Sequence, residues 1–446
     1  MRLTALLTIA VLCPAQEAGR NYRVGPNMRI SAAQPSVRHY EAYAGADPND
    51  ARHLIACALV VRAQDRIDNV FYMSADRGKT WSHTLTVDHA VDPSCAIGSH
   101  GVAFAGNIHD QLFPDGKTDS VLTVYRSADG GRTWQPSAVA AESRGIDRAY
   151  VTPDSYAHGY RATRQPPAVI LFYPSRDQGR SFDRVLVSGA AVFSKPWFFP
   201  GNGVVDDDGN FFALIAELDD TKRNMSYRTD AASAPSADAV LNIYVSRDAG
   251  QTLKPAGRIP GVCYDWRVPQ LSLPVLAVDR SRGPFRGRLY AVWPDARFDR
   301  RTEILMSFSS DRGRTWSAPR AVSEDRQDDA ANRHANQFMP AVAVNRDGVV
   351  GIAWYDRHDH ADNLGYWVRF AASPDGGESW LPSTRVSSSP HMDSADTRKN
   401  SGDTAGLAAD AGGRFHPVWI DNRTGTPQMW TATVRVRGKV RRRQRQ

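Results

Sequence analysis

The sequence predicts an all-β fold, a ring of small antiparallel sheets closed into a β-propeller. Three observations predict it. One octapeptide pattern, Ser-x-Asp-x-Gly-x-Thr/Ser-aromatic, occurs six times along the 446 residues. A short apolar run precedes every copy. Between copies the chain refills one template of short strands separated by turn signals.

The copies lie at 74–81, 127–134, 175–182, 246–253, 309–316 and 373–380, and only Leu253 replaces the ring. The pattern reads as a hairpin turn with a mechanism. The Asp carboxylate accepts from N–H groups of its own turn, and Gly takes a φ > 0 that a side chain would oppose. The hydroxyl adds a further bond, and the aromatic re-enters the core on the next strand.

The second strand of each unit is the most apolar: 54–61, 102–108, 211–218, 288–293, 349–355 and 414–420. The third unit is the faintest, with an inner strand over 148–154 and a second strand hidden within 155–167. The box spacing is widest between Asp177 and Asp248, where 219–237 reads as a long loop or flap. The run Asp206-Asp207-Asp208-Gly209 reads as a turn.

Both chain ends enter the count. Residues 403–436 supply three strands but no box and no fourth strand. Residues 24–31 match the outer-strand segment 380–387 at Pro26/Pro382, Arg29/Arg385, Ile30/Val386 and Ser31/Ser387. An N-terminal strand is therefore expected to complete the last blade and leave no open edge. The expectation is seven blades with six boxes; six blades is the alternative.

The formal charge of +7 is not a property of the body. Arg435, Arg437, Lys439, Arg441, Arg442, Arg443 and Arg445 account for it, with no acid among them. A balanced body argues against nucleic acid as the partner, and a basic tail attracts polyanions only non-specifically. At the other end, an apolar run over 3–12 followed by Cys13-Pro14-Ala15 reads as a secretory signal, too short to span a bilayer. The expected organisation is a signal peptide at 1–15, one propeller domain at 22–436 and a basic tail at 437–446. The mature protein is expected to be secreted or periplasmic, without a transmembrane segment. Cys57, Cys95 and Cys263 then remain, an odd number that predicts no disulfide framework and no cysteine metal site. Cys57 reads as a core residue, and Cys95 and Cys263 read as lying in loops that enter later blades on opposite sides of the ring.

The six boxes resemble the Asp-boxes, or BNR repeats, of the sialidase-like β-propellers, and the resemblance covers nearly all of the chain after its N-terminus. It implies that Asp76, Asp129, Asp177, Asp248, Asp311 and Asp375 are structural, on the face away from the active site. The opposite face carries function because its loops vary without disturbing the blades. Sialidases grip a carboxylate with three arginines, whose planar forks match it, and use a Tyr nucleophile, a Glu and an Asp acid/base. Their first arginine lies in a Tyr/Phe-Arg-Ile-Pro motif on the first inner strand. Here 36–39 reads Ser-Val-Arg-His and retains Arg38. The acidic residue after the second strand corresponds to Asp65 or Asp68. By face rather than motif, Arg148 and Arg267 are candidates for the other arginines, and Glu217, Tyr264 and Tyr355 for the remaining catalytic groups.

Two further patterns have structural readings. Trp-x-Asp repeats at 293, 354 and 419 with an Arg close behind, which reads as a blade-to-blade salt bridge. Residues 356–360, Asp-Arg-His-Asp-His, hold metal-ligand types at no diagnostic spacing, and no metal or cofactor is expected. The functional expectation is a sialidase-like glycan-active protein, an exo-glycosidase of the exo-α-sialidase type acting on terminal acidic sugars. The alternative is a non-catalytic Asp-box propeller binding glycan or protein on the same face.

Overall fold

A computed structural model describes residues 21–137, 146–152, 156–161, 169–183, 185–188, 192, 194, 196–219, 238–263, 272–297, 302–323, 335–360, 365–392 and 402–437. The chain is an all-β propeller. It has six four-stranded sheets in chain order and a closing sheet that both ends build. In sheet 1, Arg38–Ala46, Leu54–Val61, Ile67–Ser74 and Ser82–Asp88 are successive antiparallel neighbours. Sheets 2 to 6 repeat this order. Their first strands are Ala90–Ile97, Ile146–Thr152, Pro196–Val205, Val275–Val278 and Gln337–Val344. The expected second strands form within a few residues of their apolar runs. In sheet 3 the first two strands are Ile146–Thr152 and Tyr156–Arg161. Most of the expected flap, residues 220–237, lies outside the described residues.

The closing sheet runs Gly406–Ala409, Phe415–Asp421, Gln428–Thr431 and then Met28–Arg29 at its outer edge. A ribbon of Tyr22–Val24 on Val434–Val436 extends it. The equivalence of the two outer strands reaches single hydrogen bonds. Ser31 Oγ accepts from Met429 N–H at 3.1 Å, and Ser387 Oγ accepts from Val368 N–H at 3.0 Å. Ile30 and Val386 are both buried. Tyr22 reaches the neighbouring sheet, where its hydroxyl accepts from Ala372 N–H at 3.0 Å.

The core lies between sheets rather than within one. Ile55, Cys57 and Phe71 of sheet 1 pack on Cys95, Ile97 and Ala105 of sheet 2. The seam between sheet 6 and the closing sheet is filled by Tyr355, Phe370, Phe415 and Trp419. The first strands line a central channel of about 340 Å³, with small residues such as Gly45, Ala96, Ala343 and Gly406 on its wall.

All six boxes share one geometry. The Thr or Ser N–H four residues after the Asp donates to its Oδ1 at 2.9 Å in every copy. The box Ser donates to the same carboxylate and accepts from the box Gly N–H. That Gly has φ between 77° and 94°. Asp206 also makes a turn, accepting from Asp208 and Asn210 N–H.

Two expectations are corrected. Cys95 is not in a loop; it lies on the first strand of sheet 2. The repeated Asp/Arg pairs do not bridge blades. Asp295 takes the Trp293 indole N–H at 2.8 Å and is clamped by Arg297, two residues on. Asp421 is held likewise by Trp419 and Arg423. The Arg two residues on folds back on its own strand-terminal Asp, and its remaining N–H groups reach uncharged acceptors of the neighbouring sheet, Gly261 O from Arg297 and Ser388 Oγ from Arg423. Asp356 keeps the indole bond from Trp354, but its cation is Arg369 of the adjacent strand.

Candidate functional site: the channel mouth

The first and third strands of a sheet run parallel, and the third strand ends in the box. Each first strand therefore begins on the face opposite the boxes. Several first strands are irregular there. The pairing register slips between Tyr40 and Tyr43, Val91 and Ser94, Asp147 and Ala149, Pro200 and Gly203, and Phe338 and Ala341. These slips are β-bulges, which re-aim side chains and gather beside active sites. Three bulges hold a non-glycine residue at positive φ: Glu41 at 55°, Asp92 at 50° and Met339 at 52°. That backbone region is costly for side-chain-bearing residues.

Glu41 and Asp92 stand at one level of neighbouring strands. Gly45 faces Ala96 closely enough that a side-chain carbon on Gly45 would lie 3.1 Å from Ala96 Cα. Counting back the same distance from each gives Glu41 and Asp92. A carbon on Gly406 would lie 2.8 Å from Ala44 N, which puts Asp403 level with Glu41 on the other side. Gly402 confirms the neighbourhood, since a carbon there would collide with the Glu41 side chain. All three residues are half-buried, and Oε2 of Glu41 is sealed from solvent. Sequence reasoning missed Glu41 and Asp92. A partial signal existed in Pro93 and Pro340, because proline within a strand marks either a sheet edge or a bulge.

Hydrogen bonds between sheets fix the mouth. Val151 N–H donates to Ser94 Oγ at 3.1 Å, and Met339 N–H to Ser272 Oγ at 2.6 Å. Asn202 exchanges two bonds with the Leu276 backbone. Tyr43 and Tyr150 meet edge to face at 6.0 Å on the wall.

The candidates from sequence fall at several places on this face. Arg38 and Asp65 meet as an exposed ion pair at 3.4 Å, Asp65 being 93% exposed. Asp68 is fully buried, clamped by Arg62 and by Arg66 at 3.0 Å, with His89 N–H at 3.1 Å. Burial pushes its carboxyl up, but the His89 N–H and the two guanidiniums outweigh burial and leave it below the usual range. An ionised, enclosed carboxylate has no proton to give, so Asp68 positions Arg62 and Arg66. Glu217 is buried, accepting from Val192 N–H and from Asn242 at 2.9 Å. Tyr355 is 1% exposed, stacked on Tyr366 at 4.4 Å, and its hydroxyl accepts from Ile420 N–H at 3.1 Å. Burial raises its phenol far above the ordinary value, so it serves the core rather than a substrate. Arg148 is the extra residue of the sheet 3 bulge, so its backbone stands at the mouth. Tyr264 and Arg267 lie outside the described residues.

The 356–360 loop is occupied by ion pairs. Asp359 meets Arg385 and, at 3.6 Å, Arg369, while Arg385 stacks 3.8 Å over Trp367. Among the described residues no group of three or more His, Cys, Asp or Glu is placed to hold a metal ion, and no helix is long and apolar enough to cross a membrane.

No protein-family model matches the sequence. Among solved structures, the chain is similar over 94% of its length to a protein of unknown function from Dyadobacter fermentans, covering 100% of that chain at 14% identity and a TM-score of 0.50. It is also similar to a Hadza microbial sialidase, with 14% identity, 92% and 68% of the two chains covered and a TM-score of 0.46. An α-L-arabinofuranosidase of Fusarium graminearum matches at 12% identity, 93% and 98% coverage and a TM-score of 0.47. At such identities the likeness to the Dyadobacter chain speaks to the fold alone.

Proposed function

We propose that this chain is an exported glycoside hydrolase, an exo-glycosidase working at the channel mouth, with the closing sheet counted as a seventh blade. The observation that carries the reading is the placement of Glu41 and Asp92 at one level of neighbouring first strands, each at positive φ in a bulge. Glycoside hydrolysis needs two carboxyl groups flanking the scissile bond, one to give a proton and one to stabilise or attack the sugar cation. Asp403 extends the acidic arc, and Arg38 stands at the start of the same strand as Glu41. A guanidinium there suits an acidic terminal sugar of the sialic acid kind, with Arg148 and Arg267 as further grips. Asp65, partnered only at the surface, is the acid/base candidate from the sialidase resemblance.

One observation favours a second reading, a non-catalytic propeller that binds glycan or protein. Among the described residues, the exposed large apolar side chains Ile67, Leu112, Val192 and Met392 sit at strand ends or connections on the face opposite the boxes. The deciding assay is release of sugar from a panel of acidic and neutral fluorogenic glycosides. Glu41→Gln and Asp92→Asn should each lower turnover about 10²–10⁴-fold with the fold intact. Inactivity of the parent on the whole panel, with glycan-array binding that both variants retain, would leave the binding reading standing.

A further inference from the structure

We propose that Cys57 and Cys95 form a disulfide that staples sheet 1 to sheet 2, made by exchange with a small dissolved disulfide. Cysteine arithmetic counts three thiols and predicts none, but the fold brings two together. Cys57 lies on Leu54–Val61 opposite Tyr43, and Cys95 lies on Ala90–Ile97 opposite Ala105. Both belong to the cluster that fills the seam between the sheets, with Ile55, Phe71 and Ile97 around them. Gly45 makes the approach possible. It pairs with Ile55, two residues from Cys57, and a side-chain carbon on it would lie 3.2 Å from Ile55 Cγ1 and 3.4 Å from the Cys95 carbonyl. Without that carbon, the Cys95 strand comes against the back of sheet 1, and Cys57 and Cys95 share one packed cluster at the seam. Cys263 ends a strand of sheet 4, away from this seam.

Access divides the two sulfurs into roles. Cys57 is fully buried, and burial, then Cys95 beside it, raises its thiol well above the ordinary value. Cys95 is buried less completely, at 7% exposed, on a strand that lines the channel, so we assign it as the sulfur attacked first. Its thiolate attacks one sulfur of a disulfide R–S–S–R, forms a mixed disulfide and expels RS⁻, which takes up a proton. Cys57 then gives its proton to solvent and attacks the Cys95 sulfur, expelling the second RS⁻. Two protein thiols lose two electrons and two protons, and one R–S–S–R becomes two RSH.

The test treats the full chain with glutathione disulfide, both as native protein and during refolding with a glutathione buffer. Free thiols are then alkylated and peptides mapped with and without reduction. The expected product joins the Cys57 and Cys95 peptides, disappears on reduction and leaves Cys263 alkylated or glutathionylated. Cys57→Ala, shown folded by its circular dichroism, should stop at a glutathione adduct on Cys95. The proposal is overturned if neither arm gives the joined pair, or if the bond found involves Cys13 or Cys263. It is equally overturned if Cys57→Ala still yields a protein disulfide at Cys95.

Discussion

Replacing Ile30 by alanine tests whether the N-terminal strand closes the ring. Ile30 is 0% exposed and packs with Val418, Ile420 and Met429 of the closing sheet and with Ala42, Ala56 and Ala58 of sheet 1. Its N–H donates to Met429 O at 2.9 Å, so the backbone bond survives the substitution. What is lost is apolar volume at a seam. The missing carbons are worth about 0.8 kcal/mol each in transfer, and the cavity raises the cost to about 2–5 kcal/mol. With an unfolding entropy of roughly 2.1 cal/mol/K per residue, the chain of 446 residues gives a slope of roughly 0.9 kcal/mol/K, hence a fall in Tm of about 2–5 °C. Ile67→Ala is the matched control, because Ile67 is 36% exposed at the loop face and should cost no more than about 0.5 kcal/mol. Denaturant titration of the two variants beside the parent gives the midpoints. An Ile30→Ala midpoint no lower than that of Ile67→Ala, at equal slope, would mean that residues 22–31 are not part of the cooperative fold.

Asp311→Ala removes the acceptor for Thr315 and Arg314 N–H, both exposed enough for water to replace it, so a loss of about 1 kcal/mol with activity unchanged is expected in paired melting and glycosidase assays. Burial pushes the Asp129 carboxyl up, but the Ser127 and Thr133 bonds outweigh it and hold it at about 2 against an ordinary 3.8. A depressed carboxyl stabilises the fold above the unfolded value and loses that contribution as pH falls through the folded one. The parent Tm should therefore drop between about pH 4 and pH 2, and Asp129→Asn should flatten part of the drop in a calorimetric pH series. Arg38→Lys keeps the charge but not the planar fork, so on an acidic glycoside it should raise KM at least several-fold, and on a neutral one leave kcat/KM unchanged. A chain ending at Arg437 retains the Arg437 N–H bond to Asn21 O at 2.7 Å and should melt with the parent, while polyanion retention should fall and its salt dependence vanish.

The sequence by itself determined the elements whose bonds close locally. A box turn satisfies its Asp, Ser and Gly within a few residues, so its pattern carries its whole geometry, and the apolar second strands carry theirs by composition. The closing strand was legible because Ile30 and Ser31 repeat, residue for residue, the packing and hydrogen bonding of Val386 and Ser387. Only the tertiary structure decided which acids stand at the channel mouth and which are sealed away. Asp68 and Tyr355 sit in sequence like loop-face residues, yet Arg62 and Arg66 enclose one and Tyr366 and Ile420 the other. Glu41, Asp92 and Asp403 come from separate stretches, near both ends of the chain, and share a level only because Gly45 and Gly406 let neighbouring first strands touch. Cys57 and Cys95 meet across a seam for the same reason. Such placements depend on the close approach of strands far apart in the chain, and no local pattern encodes that approach.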